Sequence, residues 1–227
     1  MARQMQERAQ RTREVLLRAA AEVFDEVGYA GASINKILDQ AGVTAGAVYF
    51  HFKSKEGLAR AVILEQAADL KFPQEHDGLQ QLVDMTQYLT LEMQRNTLFR
   101  AGVRLAVEQS ESGLQDYTIY DWWTEHFREQ LVRASELGEL LPDVSEAEFA
   151  QQLVGSYTGT QIMSQISCER ADLPQRITTM WRYLLPAIAP AEVIARLDLS
   201  PKSPGATPLK GSNLKGPKAA EAEEADA

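Results

Sequence analysis

Apolar residues recur along this chain at the three-to-four spacing of amphipathic helices. Leu16, Ala20, Val23, Phe24 and Val27 share one face, and Gly28 is placed to close that helix. In "ASINKILDQAG", Ser33 sits where a cap belongs, and Ile34, Ile37, Leu38 and Ala41 form the buried side of a short second helix. Gly42 makes the turn, Thr44 can cap a third helix reaching about residue 51, and Ser54 caps a fourth with Leu58, Val62 and Leu64 among its apolar positions. After the breaker-rich link "KFPQEHDG", the positions Leu79, Leu82, Val83, Thr86, Leu89 and Met93 predict an amphipathic helix over 79–95. Further helices are predicted over about 97–110, 117–137, 145–167 and 173–188, the last with Pro174 near its start, while Gly138 and Pro142 mark a turn. The expected fold is all-α, with about nine or ten helices.

The second and third helices, joined by "AGVT", have the size of a helix-turn-helix, whose second helix reads the major groove of DNA. Val43, Val48 and Phe52 form an apolar clamp beneath it and leave Thr44, Ala45, Gly46, Tyr49 and His51 pointing outward. A glycine such as Gly46 inside a helix costs roughly 1 kcal/mol against alanine, and it makes sense where another backbone must approach closely. A plain helical hairpin inside a bundle is the alternative, but it leaves Tyr49, Phe50 and His51 together on so short a helix unexplained.

Charge modifies this picture. The chain of 227 residues carries a net charge of −9, which is discouraging for nucleic acid, yet the distribution is uneven. Residues 1–60 hold nine Lys/Arg against seven acids, so they stand at +2 and the remainder at −11. Four of those bases, Arg3, Arg8, Arg11 and Arg13, fall in the first thirteen residues. A basic end on an acidic body suits a local phosphate-binding surface, and a solvated N-terminal arm would account for the arm alone equally well.

Other classes find little support. The charged N-terminus lacks the apolar stretch of a secretory signal, no apolar run approaches the roughly 20 residues of a membrane span, and the single Cys168 fits a reducing cytoplasm. His51, His76 and His126 have no metal-ligand spacing, and no glycine-rich phosphate loop, nucleophile elbow or zinc-protease pattern occurs. The acid pairs Glu146/Glu148 and Glu223/Glu224 read as solvated, and Cys168 as a small buried apolar residue. No catalytic residue, metal or cofactor is expected. Residues 200–227, rich in Pro, Gly, Ser and Lys and then acidic, read as a disordered tail.

The stretch "GYAGASINKILDQAGVTAGAVYFHFKSKEGL" resembles the DNA-binding domain of TetR-type transcriptional repressors over about residues 10–60. The likeness extends further. "MARQ", "RAQRTRE", "VTAGAVYFHFKSKEGLA", "RAGVRLAVEQ", the Trp in "IYDWWTEHF", "LGELLPDV" and "LLPAIAP" are similar to the γ-butyrolactone autoregulator receptors of actinomycetes.

The resemblance implies a homodimer on a pseudo-palindromic operator of double-stranded DNA. Each subunit would have a helix-turn-helix head with a basic arm (1–55), a ligand-binding and dimerisation body (56–199) and the tail (200–227). Ligand in the body would move helix 4, spread the heads and release the operator, freeing genes of secondary metabolism and often the receptor's own gene. It further implies that Thr44, Gly46, Tyr49 and His51 face DNA and that Lys55 meets a phosphate. Ser33 either reaches a phosphate or serves only as a cap. The family usually has Lys where this chain has Ala45, so one charge-assisted DNA contact would be lost, with a different affinity or operator preference as the expected consequence. Pseudo-receptors of the same family answer to antibiotics and tend to be basic, whereas this chain is acidic.

For the ligand, Tyr120, Trp123 and Phe127 lie on one helical face, a stripe that by itself reads as core. By resemblance Trp123 lies over the lactone, and Trp122 points about 100° away. In "GSYTGTQIMSQ", Leu153, Ser156, Thr160 and Met163 share a face. Thr160 is therefore a candidate for a ligand oxygen, with dimer packing of helices 8 and 9 as the competing reading. Gln66 could couple ligand to helix 4, and Val103 is a plausible apolar wall. The rival functions are an efflux-pump repressor, a pseudo-receptor, and a small-molecule carrier with no DNA role.

Overall fold

The computed structural model describes residues 2–68, 70–72, 75–109 and 114–201, so residues 202–227 of the expected tail lie outside the described residues. Ten α-helices occur among the described residues: α1 (Ala2–Gly31), α2 (Ile34–Ala41), α3 (Ala45–His51), α4 (Lys55–Glu65), α5 (Gly78–Arg95), α6 (Thr97–Val107), α7 (Thr118–Glu136), α8 (Glu146–Cys168), α9 (Leu173–Leu184) and α10 (Ala191–Ile194). A 3-10 turn, Leu185–Ala187, follows α9. The all-α expectation holds, and the predicted helix positions agree to within a few residues at their ends. The helices fall into two compact units; among the described residues one holds residues 2–68 and 97–119, the other residues 70–96 and 120–201.

In the first unit the local chemistry sets each boundary. α1 buries Leu16, Leu17, Ala20, Val23 and Phe24 and is broken at Gly28, whose φ of 68° the helix cannot contain. The segment bearing Arg3, Arg8 and Arg11 is the first part of this helix. Ser33 Oγ accepts from Lys36 N at 3.2 Å to start α2. Gly42, at φ 63°, ends α2 and donates its N–H to Leu38 O at 2.9 Å. Thr44 stands at the N-cap of α3 but makes no side-chain capping bond. Ser54 Oγ accepts from Gly57 N at 3.1 Å, and α4 then buries Leu58, Ala59, Val62, Ile63 and Leu64.

α6 joins these helices. Arg100 binds Asp25 of α1 through Nε at 3.0 Å and Nη2 at 2.7 Å, Arg104 Nη1 donates to Asp25 O at 2.7 Å, and Tyr29 N donates to Glu108 at 2.9 Å. On α6, Gly102 lies against α4. A Cβ there would overlap Gln66 Cβ and stand 3.0 Å from Val62 O.

In the second unit three expectations change. α5 has the predicted apolar face, yet Gln81, Asp84, Gln87, Thr90 and Glu92 around the rest of its circumference are buried too, so it is not amphipathic in place. Several of its polar groups have partners, as where Gln87 Nε2 donates to Thr178 Oγ1 at 2.9 Å and Trp181 Nε1 to Thr86 Oγ1 at 2.7 Å, while Gln87 Oε1 is buried without one. α8 is rotated relative to the prediction. Its buried residues are Ala150, Leu153, Val154, Tyr157, Gln161 and Ser164, while Ser156 and Thr160 are half-exposed and Met163 is exposed. Tyr157 and Gln161, polar by type, took the inward side. Cys168 is only half-buried, with its Sγ 3.7 Å from Ser164 O.

Replacing Gly102 by alanine should push α6 from α4 and destabilise the protein by about 1–3 kcal/mol, the usual range for overpacking. Urea unfolding measures this, and an unchanged midpoint would contradict the close approach.

Candidate nucleic-acid interface

α3 is too short to hold itself, so its position comes from the side chains beneath it. Val48 and Phe52 are buried, Phe52 under the Arg13 guanidinium at 5.3 Å, and Val43 is half-buried. Arg13 in turn binds Glu65 of α4, Nη1 to Oε2 at 3.1 Å. Arg13 is therefore a strut between α1 and α4, although its place among the N-terminal bases suggested phosphate. Arg60 is likewise paired, with Asp116 at 2.8 Å.

Opposite that support, Thr44, Ala45, Gly46 and Tyr49 are all exposed. His51 is half-buried, and its pKa is lowered first by desolvation and then by the Arg13 charge, so the ring is neutral at pH 7. Lys55 opens α4 with its Nζ 4.2 Å above the Tyr29 ring, and the Tyr29 hydroxyl donates to Glu56 at 2.9 Å. Burial, then the hydrogen bond to Glu56, pushes the Tyr29 phenol up to about 12. The Tyr29 ring thus fixes where the Lys55 ammonium stands. Ser33 is exposed and occupied as a cap. The seven residues singled out by sequence for DNA all belong to one unit, Ser33 and Thr44 as the N-caps of α2 and α3, Ala45, Gly46, Tyr49 and His51 on α3, and Lys55 at the start of α4.

In the second unit, Trp123 and Phe127 are buried and Tyr120 is half-buried. Trp123 belongs to an aromatic cluster, its ring 6.2 Å from Phe72, 4.8 Å from Trp122 and 5.9 Å from Phe127. Trp122 is half-buried and lies against His126, rings 3.9 Å apart. Thr160 is elsewhere, in an open groove of about 620 Å³ between α8 and α9 whose lining includes Gly155, Ser156, Gly159, Met163 and Tyr183 and none of the α7 aromatics. In the first unit Gln66 is buried, its Nε2 donating to Ile63 O at 2.8 Å and its Oε1 without a partner, and Val103 is half-buried.

The family described as bacterial regulatory proteins of the tetR family matches residues 16–62, and the tetracyclin repressor-like C-terminal domain matches residues 76–190. The chain belongs to the TetR family. The A-factor receptor protein of Streptomyces griseus is 40% identical over 194 residues, 85% of this chain and 69% of that protein. The crystal structure of TylP, a TetR regulator from Streptomyces fradiae, aligns with a TM-score of 0.74 at 41% identity, covering 85% of this chain and 93% of that one. A γ-butyrolactone receptor described as ArpA-like aligns with a TM-score of 0.64 at 29% identity, covering 83% and 94%.

In this TetR-family chain among the described residues, no helix is long and apolar enough to cross a membrane, and no group of three His, Cys, Asp or Glu side chains is placed for a metal. Sequence reasoning gave Phe50 no role, although helical arithmetic places it two residues, about 200°, from both Val48 and Phe52. It also put Gly46 in mid-helix, whereas it is the second residue of α3.

A Cβ at Gly46 would meet only Thr44 Oγ1, at 3.9 Å, so the fold itself does not require glycine there. Gly46→Ala should therefore stabilise the free protein, by about 0.5 kcal/mol. Thermal unfolding checks this, and a destabilised variant would show that the glycine serves the fold after all.

Proposed function

We propose that this TetR-family chain is a cytoplasmic, homodimeric transcriptional repressor. It leaves a pseudo-palindromic operator when its body binds a small diffusible γ-butyrolactone-type signal, or a related butenolide or furan. The genes it holds silent belong to secondary metabolism and include its own. The observation that carries this reading is the 40% identity with the A-factor receptor, which spans 85% of the chain and so covers head and body together.

In this reading α3 enters the major groove. Thr44, Ala45 and Gly46 approach the bases and backbone, while Tyr49, His51 and Lys55 bind phosphates with Ser33 at the flank. Trp123, with Tyr120 and Phe127 beside it, presents its indole to the lactone. The groove holding Thr160 suits a second copy of the chain, which favours the dimer role for that residue over the ligand role. Met163, Ile166 and Tyr183 are 63%, 82% and 81% exposed, and a Cβ at Gly155 or Gly159 would meet nothing within the chain. Release is a population shift, so the ligand must bind the DNA-incompetent state more tightly.

A gel shift with DNA upstream of the chain's own gene, with and without γ-butyrolactones, tests the whole reading. A specific complex dissolved by a lactone is expected. A complex that persists with lactones and yields to an antibiotic or a cationic drug would replace the ligand class, and the absence of any specific complex in a wider operator search would favour a carrier. Lys55→Ala should weaken binding to every duplex alike and reduce the salt slope by about one; an unchanged slope removes Lys55 from the phosphate contacts. Trp123→Ala should keep operator affinity and lose release by lactone, and a still-inducible variant would move the ligand elsewhere.

A further inference from the structure

Phe50 is 70% exposed on α3, outside the buried core beneath that helix. It follows Gly46 by one turn, so the two share a face, and Gly46 is the residue whose missing Cβ no part of the chain exploits. Tyr49, 58% exposed, flanks the same face but carries a hydroxyl suited to phosphate. The Phe50 ring has no polar atom and can offer neither phosphate nor base edge a hydrogen bond. Its ring stands edge to face with His51, centroids 4.8 Å apart, which limits where it can turn.

A bare phenyl at the centre of a groove-reading surface needs an apolar partner, because burying the polar edges of bases against it would leave them unsatisfied. Stacked bases in duplex DNA show the major groove only their edges, and the one apolar group on those edges is the C5-methyl of thymine. We propose that Phe50 is a specificity-determining residue that reads a thymine methyl in each operator half-site, the glycine at 46 letting α3 come near enough for the ring to arrive. This deepens the repressor reading and rests on α3 entering the major groove. Ala45, exposed on the same short helix, has no hydrogen-bonding group to offer a base, so apolar contact takes a larger share of recognition there.

The test replaces thymine by deoxyuridine, which removes the methyl and keeps every hydrogen-bonding group. Duplexes are selected from a random pool by the full-length protein, each thymine of the selected site is replaced singly, and affinities are measured by fluorescence anisotropy. For the wild type, one thymine per half-site should lose roughly fourfold on replacement, the worth of one buried methyl. Phe50→Ala should bind more weakly and become indifferent to that replacement, while Phe50→Leu should stay sensitive. Because Phe50 is exposed, an unchanged melting temperature verifies that the variants fold.

A wild type indifferent at every thymine overturns the proposal, as does a Phe50→Ala variant with undiminished sensitivity. Sensitivity lost instead in Ala45→Gly gives the role to Ala45 and overturns it too. Full affinity in Phe50→Ala would leave the ring to a protein partner, again against the proposal. If no duplex is selected at all, the repressor reading fails with it, whereas selected duplexes with indifferent thymines sink only the role of Phe50.

Discussion

The close approach of α6 to α4 at Gly102, together with the two-point Arg100–Asp25 pair to α1, is the constraint on which the head depends. α3 is seven residues long and contributes little stability of its own, so it goes where α1 and α2, the helices it packs on, put it. α1 is tied in turn to α4 by Arg13 and Glu65, and α6 grips both α1 and α4. A shift of α6 or α4 is therefore handed to the reading helix with little slack, because packed interfaces of this kind switch between arrangements more readily than they stretch. Gln66 sits at that junction, buried against Gly102 with its amide oxygen unmatched. A buried acceptor without a donor costs about 1–3 kcal/mol, and any molecule that supplied a donor would favour whichever arrangement lets it do so.

The exposed faces obey a second regularity. Gly46 on α3 and the pair Gly155 and Gly159 on α8 are helical glycines whose missing side chains the chain itself does not fill. Each lies beside exposed apolar groups, Phe50 in one case and Met163 in the other. A weak helix former kept beside an exposed apolar residue makes physical sense where a second surface comes close. The proposed surfaces are a DNA groove for α3 and a second copy of the chain for α8.

The head was legible in the sequence because its signals are local. Ser33, Gly42 and Ser54 are capping and turn residues acting within three or four positions, and the structure puts each where its chemistry calls for it. The body was less legible because its decisive contacts are distant in sequence. The burial of α5 on all sides depends on partners such as Thr178, ninety-one residues from Gln87. α8 turned Tyr157 and Gln161 inward and left Thr160 half-exposed, an orientation that counting hydroxyls and apolar residues along the helix did not give. Arg13 shows the same limit from the other direction: its charge was plain, but its commitment to Glu65, fifty-two residues away, was not.

The central claim is that DNA and ligand compete through one coupled equilibrium, and thermodynamic linkage makes that claim measurable from both ends. A γ-butyrolactone that dissolves the complex with upstream DNA would be titrated by calorimetry into the free protein and into the protein held on that operator. Ligand binding should be weaker on DNA, by the same factor by which the ligand weakens the operator. Equal ligand affinity in the two titrations would contradict it.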